Sequence, residues 1–120
     1  MKLNEWTVIL TNESLSIDNG YQSKAYPRYT YVNNQQYEIF KRYDDIKTFD
    51  ILLNFFEESF SDYRKSYSDT FLSKILKPKV LLKYPHSLRE SLLGFEEAIF
   101  SEAIETAGAR EVIFEILEDQ

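Results

Sequence analysis

Lys77 to Leu117 reads KPKVLLKYPHSLRESLLGFEEAIFSEAIETAGAREVIFEIL, and the fold turns on how this stretch is divided. Val80-Leu81-Leu82 is a short apolar run behind Pro78, a breaker, and so has the form of a mostly buried strand. Ser87-Leu88-Arg89-Glu90 has capping-box spacing: the serine hydroxyl accepts from the Glu90 amide and the glutamate reaches back. Leu92, Phe95, Ile99, Ala103 and Ala107 follow at intervals of three and four, which lays an apolar stripe along a helix. Gly108 stands just past it, where a left-handed cap costs a glycine least. Glu111 to Leu117 is β-branched and aromatic, apolar on both faces for most of its length, which predicts a second buried strand. Two such strands joined by a long helix predict a right-handed βαβ unit with parallel strands.

Toward the N-terminus the pattern changes to period two. Trp6-Thr7-Val8-Ile9-Leu10 and Ser14-Leu15-Ser16-Ile17 read as a hairpin around Thr11-Asn12-Glu13, and Asp18-Asn19-Gly20 follows with turn residues. A polar link leads to Arg28–Val32, which Asn33-Asn34-Gln35 turns back into Gln36–Phe40. The first 40 or so residues thus hold three or four antiparallel strands. Asp44-Asp45 can start a helix by accepting from its free amides. Phe49, Leu52, Phe56, Phe60 and Tyr63, widened by Leu53, form its apolar stripe, with Lys47, Asp50, Asn54, Glu57 and Glu58 toward water. Phe71, Leu72, Ile75 and Leu76 add one or two turns before Pro78. Strands first and alternation afterwards predict an α/β chain of α+β character with a mixed sheet, in the order β-β-β-α-β-α-β.

A chain of 120 residues is one domain, and 16% aromatic residues argue for a filled core over disorder. The absence of cysteine excludes a disulfide framework and a thiolate zinc site. No apolar run reaches the roughly 20 residues of a membrane span, and the first residues lack a signal-peptide core, so a cytoplasmic location is expected. A net charge of −6 weighs against nucleic acid as a partner. Lys74, Lys77, Lys79, Lys83 and Arg89 precede or open the long helix; Glu96, Glu97, Glu102, Glu105, Glu111, Glu115, Glu118 and Asp119 crowd the end.

The order β-β-β-α-β-α-β is that of the ribonuclease H-like fold shared by actin, large heat-shock chaperones and sugar kinases. Lys77-Pro78-Lys79-Val80 with Tyr84-Pro85, then a helix running into Ala107-Gly108-Ala109-Arg110-Glu111-Val112, resembles the bacterial actin-like cell-shape family, MreB. In that family a K-P-x-V strand ends in V-P, and a helix ending in A-G-A-R-E-V leads to the next strand. Tyr26–Val32 with Gln36–Phe40 is more loosely similar to its E-P-S-V-V-A-I hairpin. The resemblance implies a single truncated actin-like subdomain over 1–120. The family's first phosphate loop, D-x-G-T, would fall near Leu10-Thr11-Asn12-Glu13-Ser14, which has neither the glycine nor the aspartate. The later phosphate loop and adenosine segment lie past the last residue of this chain. No nucleotide hydrolysis and no cofactor are therefore expected.

Candidate chemistry is sparse. His86, the one histidine, has no partner indicated by spacing for general-base work. No G-x-S-x-G elbow, Walker or dinucleotide motif is present, and Asp44-Asp45 and Glu57-Glu58 are adjacent pairs, poor metal clamps on a helix. The expectation is no catalytic and no metal-ligating residue. Tyr21, Tyr26, Tyr29, Tyr31, Tyr37 and Tyr43 cluster around the hairpin region, either as cross-strand pairs or as an aromatic docking face on which Tyr29 and Tyr31 stand together. The interaction candidates are Tyr26, Tyr29, Tyr31 and Tyr37, and on the acidic helix Glu96, Glu97, Glu102 and Glu105. The function expected is a non-catalytic protein-interaction module tied to cell shape or filament assembly, its partner a protein or a second copy in a homodimer. The alternative is a small acidic inhibitor or immunity-type protein masking a basic enzyme.

Overall fold

The computed structural model describes residues 5–11, 13–39, 41, 43–67, 77–86 and 96–117. In chain order they form β1 (Glu5–Leu10), β2 (Ser14–Asp18), β3 (Ser23–Pro27), β4 (Tyr29–Val32), β5 (Gln35–Glu38), α1 (Thr48–Tyr67), β6 (Lys79–Pro85), α2 (Glu96–Thr106) and β7 (Glu111–Leu117). The chain is of α+β class. One mixed sheet has the order β3-β2-β1-β6-β7, and β4 and β5 form a separate two-stranded sheet. The pairs β1–β2 and β2–β3 are antiparallel, whereas β6 runs parallel to both β1 and β7. The parallel strands flanking a helix at the C-terminal end are as expected.

Alternation decides which face is covered. Trp6, Val8 and Leu10 of β1, Leu15 and Ile17 of β2, and Val80, Leu82 and Tyr84 of β6 are buried, and pairing puts them on one face. Both described helices lie there. Ile51, Leu52, Phe55, Phe56, Phe60 and Tyr63 of α1 and Phe100, Ala103 and Ile104 of α2 complete the core. Trp6 meets Phe60 and Tyr63 edge-on at 5.2 and 5.1 Å, and Phe56 meets Phe100 at 6.0 Å, so the rings tie sheet to helix and helix to helix.

Several expectations are corrected. The polar link is partly strand β3: its side chains alternate exposed and half-buried because it is an edge, and an edge needs only one apolar side. There are thus five strands before α1 and not three or four, and the expected hairpin, β4–β5, forms a sheet of its own instead of extending the main one. Helix α1 begins at Thr48 and not at Asp44-Asp45. Asp45 instead accepts the Tyr37 hydroxyl at 3.0 Å, while the Asp50 and Ile51 amides reach the Lys47 carbonyl. Strand β7 is not buried on both faces. It is the other edge, with Ile113 and Ile116 exposed by 39% and 37%. The buried stripe of α1 includes Ile51 and Phe55, which a narrower periodic reading leaves out.

The expected cap at Gly108 is present. Its φ is +126°, the Ala109 amide returns to the Ile104 carbonyl and the Gly108 amide to that of Glu105, a Schellman arrangement. The capping box at Ser87–Glu90, the turns at Phe71–Leu76, and Leu92 and Phe95 lie outside the described residues.

Candidate functional site

Asn33 and Asn34 join β4 to β5 with φ of 52° and 67°, the paired left-handed angles of a tight hairpin turn that asparagine tolerates. The register sets Thr30 opposite Tyr37, and Tyr29 and Tyr31 opposite Glu38 and Gln36. Period two therefore sends Thr30 and Tyr37 to one face and the two tyrosines to the other. Thr30 and Tyr37 are buried; Tyr29 and Tyr31 are 48% and 61% exposed. They share a face, as expected, and it is the outward one.

Helix α1 holds the hairpin in place. Asn54, Glu58 and Asp62, spaced by four, line up along one side of it. The Asn54 amide donates to the Thr30 hydroxyl at 2.6 Å, to the Tyr31 carbonyl at 3.0 Å and to the Glu58 carboxylate at 2.6 Å. The Thr30 hydroxyl also donates to Glu58 at 3.4 Å. Further along, Asp62 accepts from the Lys24 ammonium and the Tyr26 hydroxyl, each at 2.6 Å. These two donors, the ammonium first, hold the Asp62 carboxyl below its ordinary value. Between hairpin and helix lies a cleft of about 310 Å³ lined by Tyr26, Tyr29, Thr30, Tyr31, Phe55, Glu58, Ser59 and Asp62, among others.

Three of the four predicted interaction tyrosines thus converge on one cleft. Tyr37 does not: it is 4% exposed, stacks edge-on with Tyr43 at 4.9 Å and is bound to Asp45. Burial and that bond raise its pKa above the ordinary phenol value. The acidic helix is less uniform than its charges imply. Glu102 and Glu105 are exposed on α2, but Glu97 accepts the Tyr84 hydroxyl at 3.0 Å, and the Glu96 side chain lies outside the described residues. Asn54, Glu58 and Asp62 belong to the site although the apolar stripe assigns Asn54 and Glu58 to water. Their spacing by four was the available signal.

The β1–β2 turn carries hydrogen bonds of its own. The Thr11 hydroxyl accepts the amides of Glu13 at 3.2 Å and Ser14 at 3.1 Å, so neither points to an outside anion. His86 is exposed at the end of β6. Among the described residues no group of three or more His, Asp or Glu side chains is placed to hold a metal, and no helix is long and apolar enough to cross a membrane.

No family model and no curated protein matches the chain. The segment Ala107–Val112 forms the cap of α2 and the start of β7.

Proposed function

We propose that this protein is a non-catalytic interaction module that docks a protein partner on the tyrosine face of the β4–β5 hairpin. The observation that carries the reading is the outward display of Tyr29 and Tyr31 on a hairpin anchored to α1 through a buried threonine. Large rings cost free energy in water, and tyrosine is enriched where proteins meet because it gives wide contact with a polar tip. The Glu13 and Ser14 amides, taken up by the Thr11 hydroxyl, support a reading without nucleotide chemistry.

The test is partner recovery from the source cell by tagged chains, quantified by mass spectrometry. Tyr29→Ser with Tyr31→Ser is expected to lower recovery of the major partner at least roughly tenfold, the scale of a loss above 1.4 kcal/mol, with the circular dichroism spectrum unchanged. Glu102→Gln with Glu105→Gln is expected to leave recovery intact. The reverse pattern would assign binding to the acidic helix, as an inhibitor of a basic enzyme requires.

A further inference from the structure

The chemistry of the cleft narrows what the partner presents. Resting on the reading above, we propose that the cleft between β4 and α1 receives one cationic side chain, lysine or arginine, from the docked protein.

Its polar wall is acidic. Glu58 and Asp62 stand one helical turn apart on α1, and Tyr26, Tyr29, Tyr31 and Phe55 are among the residues that line the remainder. An aromatic face carries negative partial charge and attracts a cation, and a carboxylate beside it adds to that attraction. The chain already makes this arrangement once with its own side chain. The Lys24 ammonium lies 5.4 Å from the centre of the Tyr26 ring and 2.6 Å from the Asp62 carboxylate. Glu58 is a second carboxylate that lines the same cleft. No Lys or Arg among the described residues forms an ion pair with it, and Asn54 and Thr30 are its hydrogen-bond donors. Asp62 already has the Lys24 ammonium, so the uncompensated charge of the cleft is Glu58: an anion would be repelled by it, and a purely apolar group would leave it without a countercharge. The volume, about 310 Å³, is at the small end of binding sites and suits one long side chain rather than a folded ligand.

The test uses the full ¹⁵N-labelled chain and two blocked pentapeptides, Gly-Gly-Arg-Gly-Gly and its citrulline counterpart, which keeps the shape and loses the charge. The arginine peptide is expected to move the amide resonances of Tyr29–Tyr31, Glu58 and Asp62 in a saturable way. The citrulline peptide is expected to bind about three- to tenfold more weakly, the range of one exposed cation–π contact with an ion pair. Glu58→Gln, which keeps an acceptor for Asn54, should weaken the arginine peptide to the same degree while the hairpin resonances stay in place. Equal binding of both peptides, shifts spread over Glu102 and Glu105, or no shift at all would overturn the proposal. If the peptides fail while the tyrosine variant still loses its partner, the interaction face stands and the cationic ligand falls. If both fail, the face falls as well.

Discussion

Gly108 shows how one residue joins three elements. At φ +126° a side chain is strained, and an added Cβ would come within 3.0 Å of a guanidinium nitrogen of Arg64. That guanidinium lies 5.5 Å from the Trp6 ring, and its half-buried setting lowers its pKa through desolvation. Gly108→Ala is expected to cost about 1–3 kcal/mol in urea unfolding, because an alanine is strained at that φ even if the arginine tip gives way. A second residue, Asp62, links stability to pH. Its folded pKa is depressed, so its contribution is full above the ordinary value of 3.8 and is lost as pH falls through the lower folded value. The stability difference between wild type and Asp62→Asn should therefore be constant near neutrality and shrink below about pH 4.

At the scale of elements, the hairpin β4–β5 is held against α1 by side-chain hydrogen bonds as well as by its own strand pairing. An isolated hairpin is marginal in water, and this one contributes buried Thr30 and Tyr37 to the contact. Asn54 supplies Thr30 with a donor and ties the Tyr31 carbonyl to the helix. Asn54→Ala is expected to cost about 1–3 kcal/mol by leaving those acceptors unsatisfied. Native-state hydrogen exchange should localise the loss: amides of β4 and β5 exchange faster, while those of β1 and β6 keep their protection. Unchanged exchange in the hairpin would mean that the core, and not Asn54, holds it.

For the whole molecule, the residues that show the fold in the sequence are those whose pattern is enforced by burial. Trp6, Val8 and Leu10 alternate because β1 is central, and Gly108 marks a cap because the chain must reverse there. Edges carry less signal. Ser23–Pro27 is a strand with half-buried residues on one side only, and β7 has an apolar sequence that burial does not explain. The site was half visible. Tyr29 and Tyr31 could be assigned to one face from their spacing, but Tyr37 reads the same in sequence and is sent inward by the register that pairs it with Thr30. Asn54, Glu58 and Asp62 have the composition of a solvated helix face; only the docking of the hairpin makes them a wall of the cleft.

The most direct test places a photoreactive phenylalanine analogue at Tyr31, or at Glu105 as the comparison, in the chain expressed in its source cell. The docking face predicts a discrete protein adduct from position 31 on irradiation, with a second copy of the chain as the adduct if the partner is itself, and none from position 105. Adducts from position 105 alone, or none from position 31, would contradict it.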